Sequence, residues 1–222
     1  MSAPTPRALF SQPNTDQRAA DHAAKAERES VARQQLPKLL AGSEFAEADV
    51  ALLAMPGFPI TLSPQAPERR ERFRAHIAAL VEESSVPCEA YDDESRVPPA
   101  VTLANVCGVC KGLCCRHAGN QAHIDDAALR LVRALRPELS AADVVAAYVN
   151  AIPERSVEHS CIVHGEHGCA LPRELRSQTC NEFYCAPVRE WEESEARRSD
   201  ARPTAMVVVH GAQLIRASLL RR

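Results

Sequence analysis

Aromatic side chains are scarce in this chain: one Trp, three Tyr and five Phe among 222 residues. A core short of them must be built from Ala, Leu and Val, which favours closely packed helices over a large aromatic-rich β-sandwich. Glycine is scarce as well, at eight, and no G-x-G-x-x-G run is present to cradle a nucleotide-type cofactor. An excess of one charge is missing: 26 Lys and Arg against 29 Asp and Glu leave a formal net charge of -3. No global basic field therefore draws the chain to nucleic acid. Long apolar runs are absent, and stretches such as 205–209 fall far short of the ~20 residues of a membrane span. The opening Met1-Ser-Ala-Pro-Thr-Pro-Arg7 has no apolar signal-peptide core. These absences predict a cytoplasmic protein with neither nucleic acid nor membrane as its partner.

Cysteine, by contrast, is abundant. Of nine in the chain, eight lie between positions 107 and 185. They open with Cys107-Gly-Val-Cys110-Lys-Gly-Leu-Cys114-Cys115 and continue with Cys161, Cys169, Cys180 and Cys185. A reducing cytosol keeps thiols free, which points this set toward metal rather than disulfides. Cys88 is left over and reads as a packing residue. A turn between Cys107 and Cys110 can bring both sulfurs to about 2.3 Å from one ion, with Gly108 inside that turn and Gly112 inside the next. Cys110 and Cys114 can share a helical face. Cys115 is rotated about 100° from Cys114 on a helix, so the adjacent pair points two ways and does not serve one simple tetrahedral ion. Either the pair spans two metals or a cluster, or one member packs as a small apolar residue.

The remaining ligands come from downstream. Cys161 and Cys169 flank an expected hairpin, and Cys180 and Cys185 follow in the next turn. The helices expected over 125–150 would be looped out and closed by the metal, which contributes folding free energy directly. An all-thiolate set suits two zinc ions with four sulfurs each, or one [4Fe–4S] cluster with other thiols in support. The pattern is not that of a bacterial ferredoxin, and only one C-x2-C pair is present. The packed run tilts the reading toward an iron–sulfur cluster over Zn2+. Four histidines lie near the thiols: His117, His159, His164 and His167. His164 and His167 fall in the expected turn at 164–168 and read as exposed, and His117 is the best placed to replace a sulfur. Arg116 and Arg176 are candidates to neutralise thiolate charge.

Along the chain, residues 1–15 read as a disordered lead-in. Helical residue types predict an N-terminal helical region over 16–86: a helix at 16–40 disturbed by Pro37, a short one from Ser43 to Met55, and one from Pro67 to Ser84 with Phe73, Ile77, Leu80 and Val81 on one face. The Ala-rich face of the first predicts weak packing. A Pro-rich linker follows at 87–100, then a cysteine domain over 101–200. Within it, Asp125 caps a helix to Arg136, and Ser140 with Asp143 forms a capping box opening a helix to about Asn150. A hairpin is expected over 160–171, a helical turn over 172–184, and a helix from Val188 with Pro187 in its first turn. The C-terminal segment, 201–222, reads as a β-hairpin with a final helix as the alternative. The expected fold class is mainly α with small β-hairpins: an irregular, metal-stapled cysteine domain preceded by N-terminal helices.

In this order the motifs resemble the YkgJ-like CxxCxxCC cysteine-cluster family, described as a zinc- or iron-chelating domain. Members carry C-x2-C-x2-C-C, a downstream Cys, a Gly-Cys, and Arg-Pro-x-x-Cys. Here Cys107, Cys110, Cys114 and Cys115 stand for the run and Cys161 for the downstream cysteine. Gly168-Cys169 and Arg176 to Cys180 follow in order. The resemblance covers roughly residues 107–185. The chain departs in its x3 gap before Cys114 and in Ser177, where the family has Pro. An x3 run occurs in cysteine-cluster proteins resembling flagellin lysine methylases. The resemblance thus implies a metal-binding protein, with a metal-cluster-dependent enzyme of that kind as the alternative. Two other readings are an interaction module whose N-terminal helices dock a protein partner, and a thiol–disulfide enzyme using Cys107 and Cys110. No βαβ pattern surrounds that pair to support the last.

Overall fold

The run Ala-Met-Val-Val-Val at 205–209 has no polar face, and a strand of that kind must be covered on both sides. The computed structural model describes residues 15–83, 101–196 and 202–220. The linker at 87–100, Cys88 and nearly all of the expected lead-in lie outside them. Strand β6 (Thr204–His210) is the centre of a three-stranded sheet. β1 (Ala51–Pro56) pairs with it in parallel, Ala51 opposite Thr204 and Met55 opposite Val208. β7 (Gln213–Leu220) returns antiparallel as a hairpin, with a register shift between Val208 and Val209. The C-terminal segment is therefore a hairpin and not a helix.

Helix α1 (Thr15–Leu40) covers one face of this sheet. Its Val31 and Ala32 pack with Val207 and Val209, and its Leu36 and Leu40 with Ala205 and Val50. The C-terminal half of α1 is thus a core element, while residues 19–27 are exposed. The helix runs through Pro37 to its end at Leu40. Only the last turn loses a hydrogen bond there, and buried Leu36 and Leu40 hold that turn on the sheet. On the opposite face lie α3 (Val101–Cys110) and α7 (Ala186–Ala196). Val106, Cys110, Val188 and Trp191 from this side meet Leu53, Met55, Met206 and Val208. Each fully buried Val or Leu side chain of such a layer contributes about 1.5–3 kcal/mol.

The helix expected from Ser43 to Met55 is not formed. A 3-10 turn at Glu47–Asp49 precedes β1 instead. Ala51, Leu53 and Met55 are buried and alternate with half-buried Leu52 and Ala54, so both faces of a strand are used. Pairing with β6 overrides the helical propensity of Ala, Leu and Met.

A second core is helical. α2 (Pro67–Glu83) supplies Phe73, Ile77 and Val81, α4 (Asp126–Leu135) supplies Leu129 and Val132, and α5 (Ala141–Asn150) supplies Val144 and Tyr148. Phe73 and Tyr148 meet edge to face at 6.4 Å, and the Tyr148 hydroxyl donates to the Leu175 carbonyl at 2.8 Å. Asp125 accepts from the Ala128 N–H, and the Ser140–Asp143 capping box closes in both directions. Two short antiparallel pairs complete the described residues: β2 (Leu62–Pro64) with β3 (Arg155–Val157), and β4 (His164–Gly165) with β5 (Gly168–Cys169). The architecture is mainly helical with small sheets. Among the described residues, no helix is long and apolar enough to cross a membrane.

Gly57 follows β1, with its N–H donating to the Val209 carbonyl at 2.7 Å. A Cβ there would collide with Val208 Cγ1, whereas one on Gly108 would meet nothing within 4 Å. Gly57→Ala is expected to destabilise by about 1–3 kcal/mol through overpacking. Gly108→Ala, in helix α3, is expected to be neutral or to stabilise by up to about 1 kcal/mol. Urea unfolding midpoints measure both, and equal effects would contradict this packing account.

Candidate metal centre

Cys107 and Cys110 sit on the last turn of α3, so Gly108 is a helical residue and not the turn glycine expected from the sequence. The reversal comes after Cys110. Lys111 and Gly112 adopt left-handed backbone conformations, φ 56° and 83°, and the Lys111 N–H still donates to the Cys107 carbonyl at 3.0 Å. A 3-10 helix, Leu113–His117, then carries Cys114 and Cys115. From β7, Arg216 donates to the Val109 and Cys110 carbonyls at 3.0 Å each. It satisfies the C-terminal end of α3 and brings a cation to the favourable pole of the helix dipole. Nothing in the sequence near the cysteines signals Arg216.

His164 departs most from its sequence reading. It lies in β4 and not in the turn, which is Glu166-His167, and it is wholly buried. Its Nε2 lies 2.6 Å from the Lys111 carbonyl, which can only accept, so Nε2 carries the proton and donates. Nδ1 then accepts from the Ser160 hydroxyl at 2.6 Å. Burial holds the imidazole pKa below its usual value, in keeping with this neutral form. Both ring nitrogens are occupied, so His164 is a structural clamp on the Lys111–Gly112 turn. His159 and His167 are exposed.

The downstream thiols reach the first run through the backbone. The Cys161 N–H donates to the Cys115 carbonyl at 2.9 Å, and the Ile162 N–H to the Gly119 carbonyl at 3.1 Å. Cys169 stands opposite His164 in the β4–β5 pair. Cys180 lies on α6 (Gln178–Glu182), capped by Ser177, whose hydroxyl accepts from the Cys180 N–H at 3.2 Å. Ser177 is thus the cap of the helix carrying this thiol. Cys185 precedes α7, and its carbonyl accepts from the Val188 and Arg189 N–H groups. All eight described cysteines are free thiols.

Four of them gather round one cavity of about 170 Å³. Cys107, Cys110, Cys114 and Cys185 line it with His117, among apolar neighbours that include Met55, Val106 and Val188. Burial and the neighbouring thiols push Cys107 up to about 11, although it reaches the surface at the cavity rim. Burial likewise raises Cys110 and Cys185. Cys161 is pushed up to about 12, mainly by burial and further by Cys169 and Cys180, and Cys180 is raised by burial. The adjacent thiols Cys114 and Cys115 act on each other, which lowers the first and raises the second. Among the described residues, no three His, Cys, Asp or Glu side chains are already set as a metal-holding group.

The cations near the sulfurs are mostly ones the sequence did not single out. Arg69 donates to Asn120, Ser156 and the Ser160 carbonyl, and its charge reaches Cys161. Arg176 donates to the Leu171 carbonyl at 2.8 Å, and its charge reaches Cys180. Arg173 and Arg216 act on Cys107 and Cys110. Arg116 instead lies over the Phe58 ring at 5.1 Å. No family model, curated protein or solved structure matches the chain.

Gly112 lies close against a thiol and the His164 clamp. A Cβ there would lie 3.0 Å from Cys115 Sγ and 3.1 Å from His164 Nε2, and φ is left-handed. Gly119 has a left-handed φ too but open space around it. Gly119→Ala is expected to cost about 1–2 kcal/mol through backbone strain alone. Gly112→Ala is expected to cost about 2–4 kcal/mol because crowding of the clamp adds to it. Chemical denaturation of the pair of variants separates the two contributions.

Proposed function

We propose that this chain is a metal-binding protein whose cysteines hold a thiophilic centre, either an iron–sulfur cluster or Zn2+. The observation that carries the reading is the cavity that gathers Cys107, Cys110, Cys114 and Cys185 from α3, the 3-10 helix and the entry to α7. Thiols drawn from three segments and left unpaired by disulfides form a donor set suited to soft or borderline metal. The raised pKa values of Cys107, Cys110 and Cys185 fit the same reading. Crowded neutral thiols lose their protons only when a cation replaces them, so metal uptake releases protons and couples to folding. A metal bound there would tie α3, the 3-10 helix and the entry to α7 together. Zn2+ would supply a closed structural site, and an iron–sulfur cluster would supply an electron-transfer or structural centre.

Protein purified without oxygen is expected to contain iron and sulfide with visible absorbance, or stoichiometric zinc and no colour. Cys107→Ser and Cys110→Ser are each expected to lower bound metal by about half or more and to lower the thermal midpoint. Elemental analysis and thermal unfolding read these outcomes. Absence of both metals at stoichiometric level would sink the reading.

A further inference from the structure

The eight thiols are not spread evenly through the site. Cys110 and Cys185 pack with the core on the sheet side, among Val106, Val188 and Met55, the residues that also line the cavity with Cys107 and Cys114. Cys115, Cys161 and Cys169 pack instead with the helical core. Cys180 joins that side, its Sγ 3.7 Å from the carbonyl of Ala122, a residue of the same core. The boundary between the two groups falls between two consecutive residues, Cys114 and Cys115. We propose that the cysteines form two adjoining four-thiolate metal sites, Cys107, Cys110, Cys114 and Cys185 in one, and Cys115, Cys161, Cys169 and Cys180 in the other.

The proposal rests on the metal-binding reading above and adds the ligand assignment and the stoichiometry. Arginines are at hand to offset the charge of both groups. Four thiolates around one divalent ion carry a net charge of about -2, and each group has two arginines near it. Arg173 and Arg216 serve the first, and Arg69 and Arg176 the second. Because Cys114 and Cys115 are consecutive in the chain, the two sites are neighbours. The division also explains why two cysteines adjoin in a run where a single tetrahedral ion would have little use for both.

Co2+ is the probe, because thiolate-to-cobalt charge-transfer absorbance counts sulfur ligands directly. Anaerobic titration of the full metal-free chain is expected to saturate at about two equivalents of four-thiolate Co2+. Cys107→Ser/Cys185→Ser and Cys169→Ser/Cys180→Ser, which spare the buried Cys110 and Cys161, are each expected to lose one equivalent and keep the other. A measurement on the unmodified chain removes any dependence on variant folding. At one equivalent of Co2+, alkylation and mass spectrometry should show one complete group of four protected and the other modified. Saturation at one equivalent, loss of all metal in either double variant, or protection that cuts across the groups or covers all eight at once overturns the division while leaving metal binding standing. No thiolate-bound Co2+ at all overturns both.

Discussion

The left-handed turn at Lys111 and Gly112 lies where the two cores meet, and the hydrogen bond from buried His164 to the Lys111 carbonyl keeps it there. Upstream of the turn, Val106 and Cys110 belong to the sheet-side core; downstream, Cys115 and Ala118 belong to the helical one. A left-handed conformation at a lysine costs about 1–2 kcal/mol, so neighbouring contacts must hold it. The imidazole does so with both nitrogens satisfied, and Gly112 leaves the space it needs. The direction in which Cys114 and Cys115 leave α3 depends on this turn.

The same meeting of cores creates an electrostatic problem. Thiols crowded into apolar surroundings resist ionisation, since desolvation and mutual repulsion both oppose the thiolate. The structure surrounds them with arginines: Arg69 from α2, Arg173 and Arg176 from the segment before α6, and Arg216 from β7. Guanidinium groups that also bind backbone carbonyls are fixed in place, and they remain charged at any working pH. On the proposed reading, metal completes this arrangement by replacing the thiol protons with a cation at the centre of each group.

Local chemistry was readable in advance where it acts over a few residues. The Asp125 cap, the Ser140–Asp143 capping box, α2 with its Phe73, Ile77 and Val81 stripe, and the C-terminal hairpin follow from short-range rules and are found in place, while the hairpin expected over 160–171 is present with a shorter turn. The strand at Ala51–Pro56 was not readable, because the partner that makes it a strand lies at Thr204–Val209. His164 was placed one step wrong, in a turn instead of a strand, and that step carries it from solvent to the interior. In a hairpin this short, two residues decide which side chains point inward. Arg69 and Arg216 carried no sequence signal, since each lies in a different element from the thiols it serves.

By itself the sequence determined the supply: eight thiols in two stretches, few aromatics, a mainly helical chain with small strands, and caps that define several helices. These depend on composition and on contacts within a few residues. The tertiary structure alone decided the grouping: which sulfurs share a cavity, which core each joins, and which arginines stand near them. Grouping depends on how α3, α6, α7 and two short sheets pack, and packing joins residues that spacing along the chain leaves far apart.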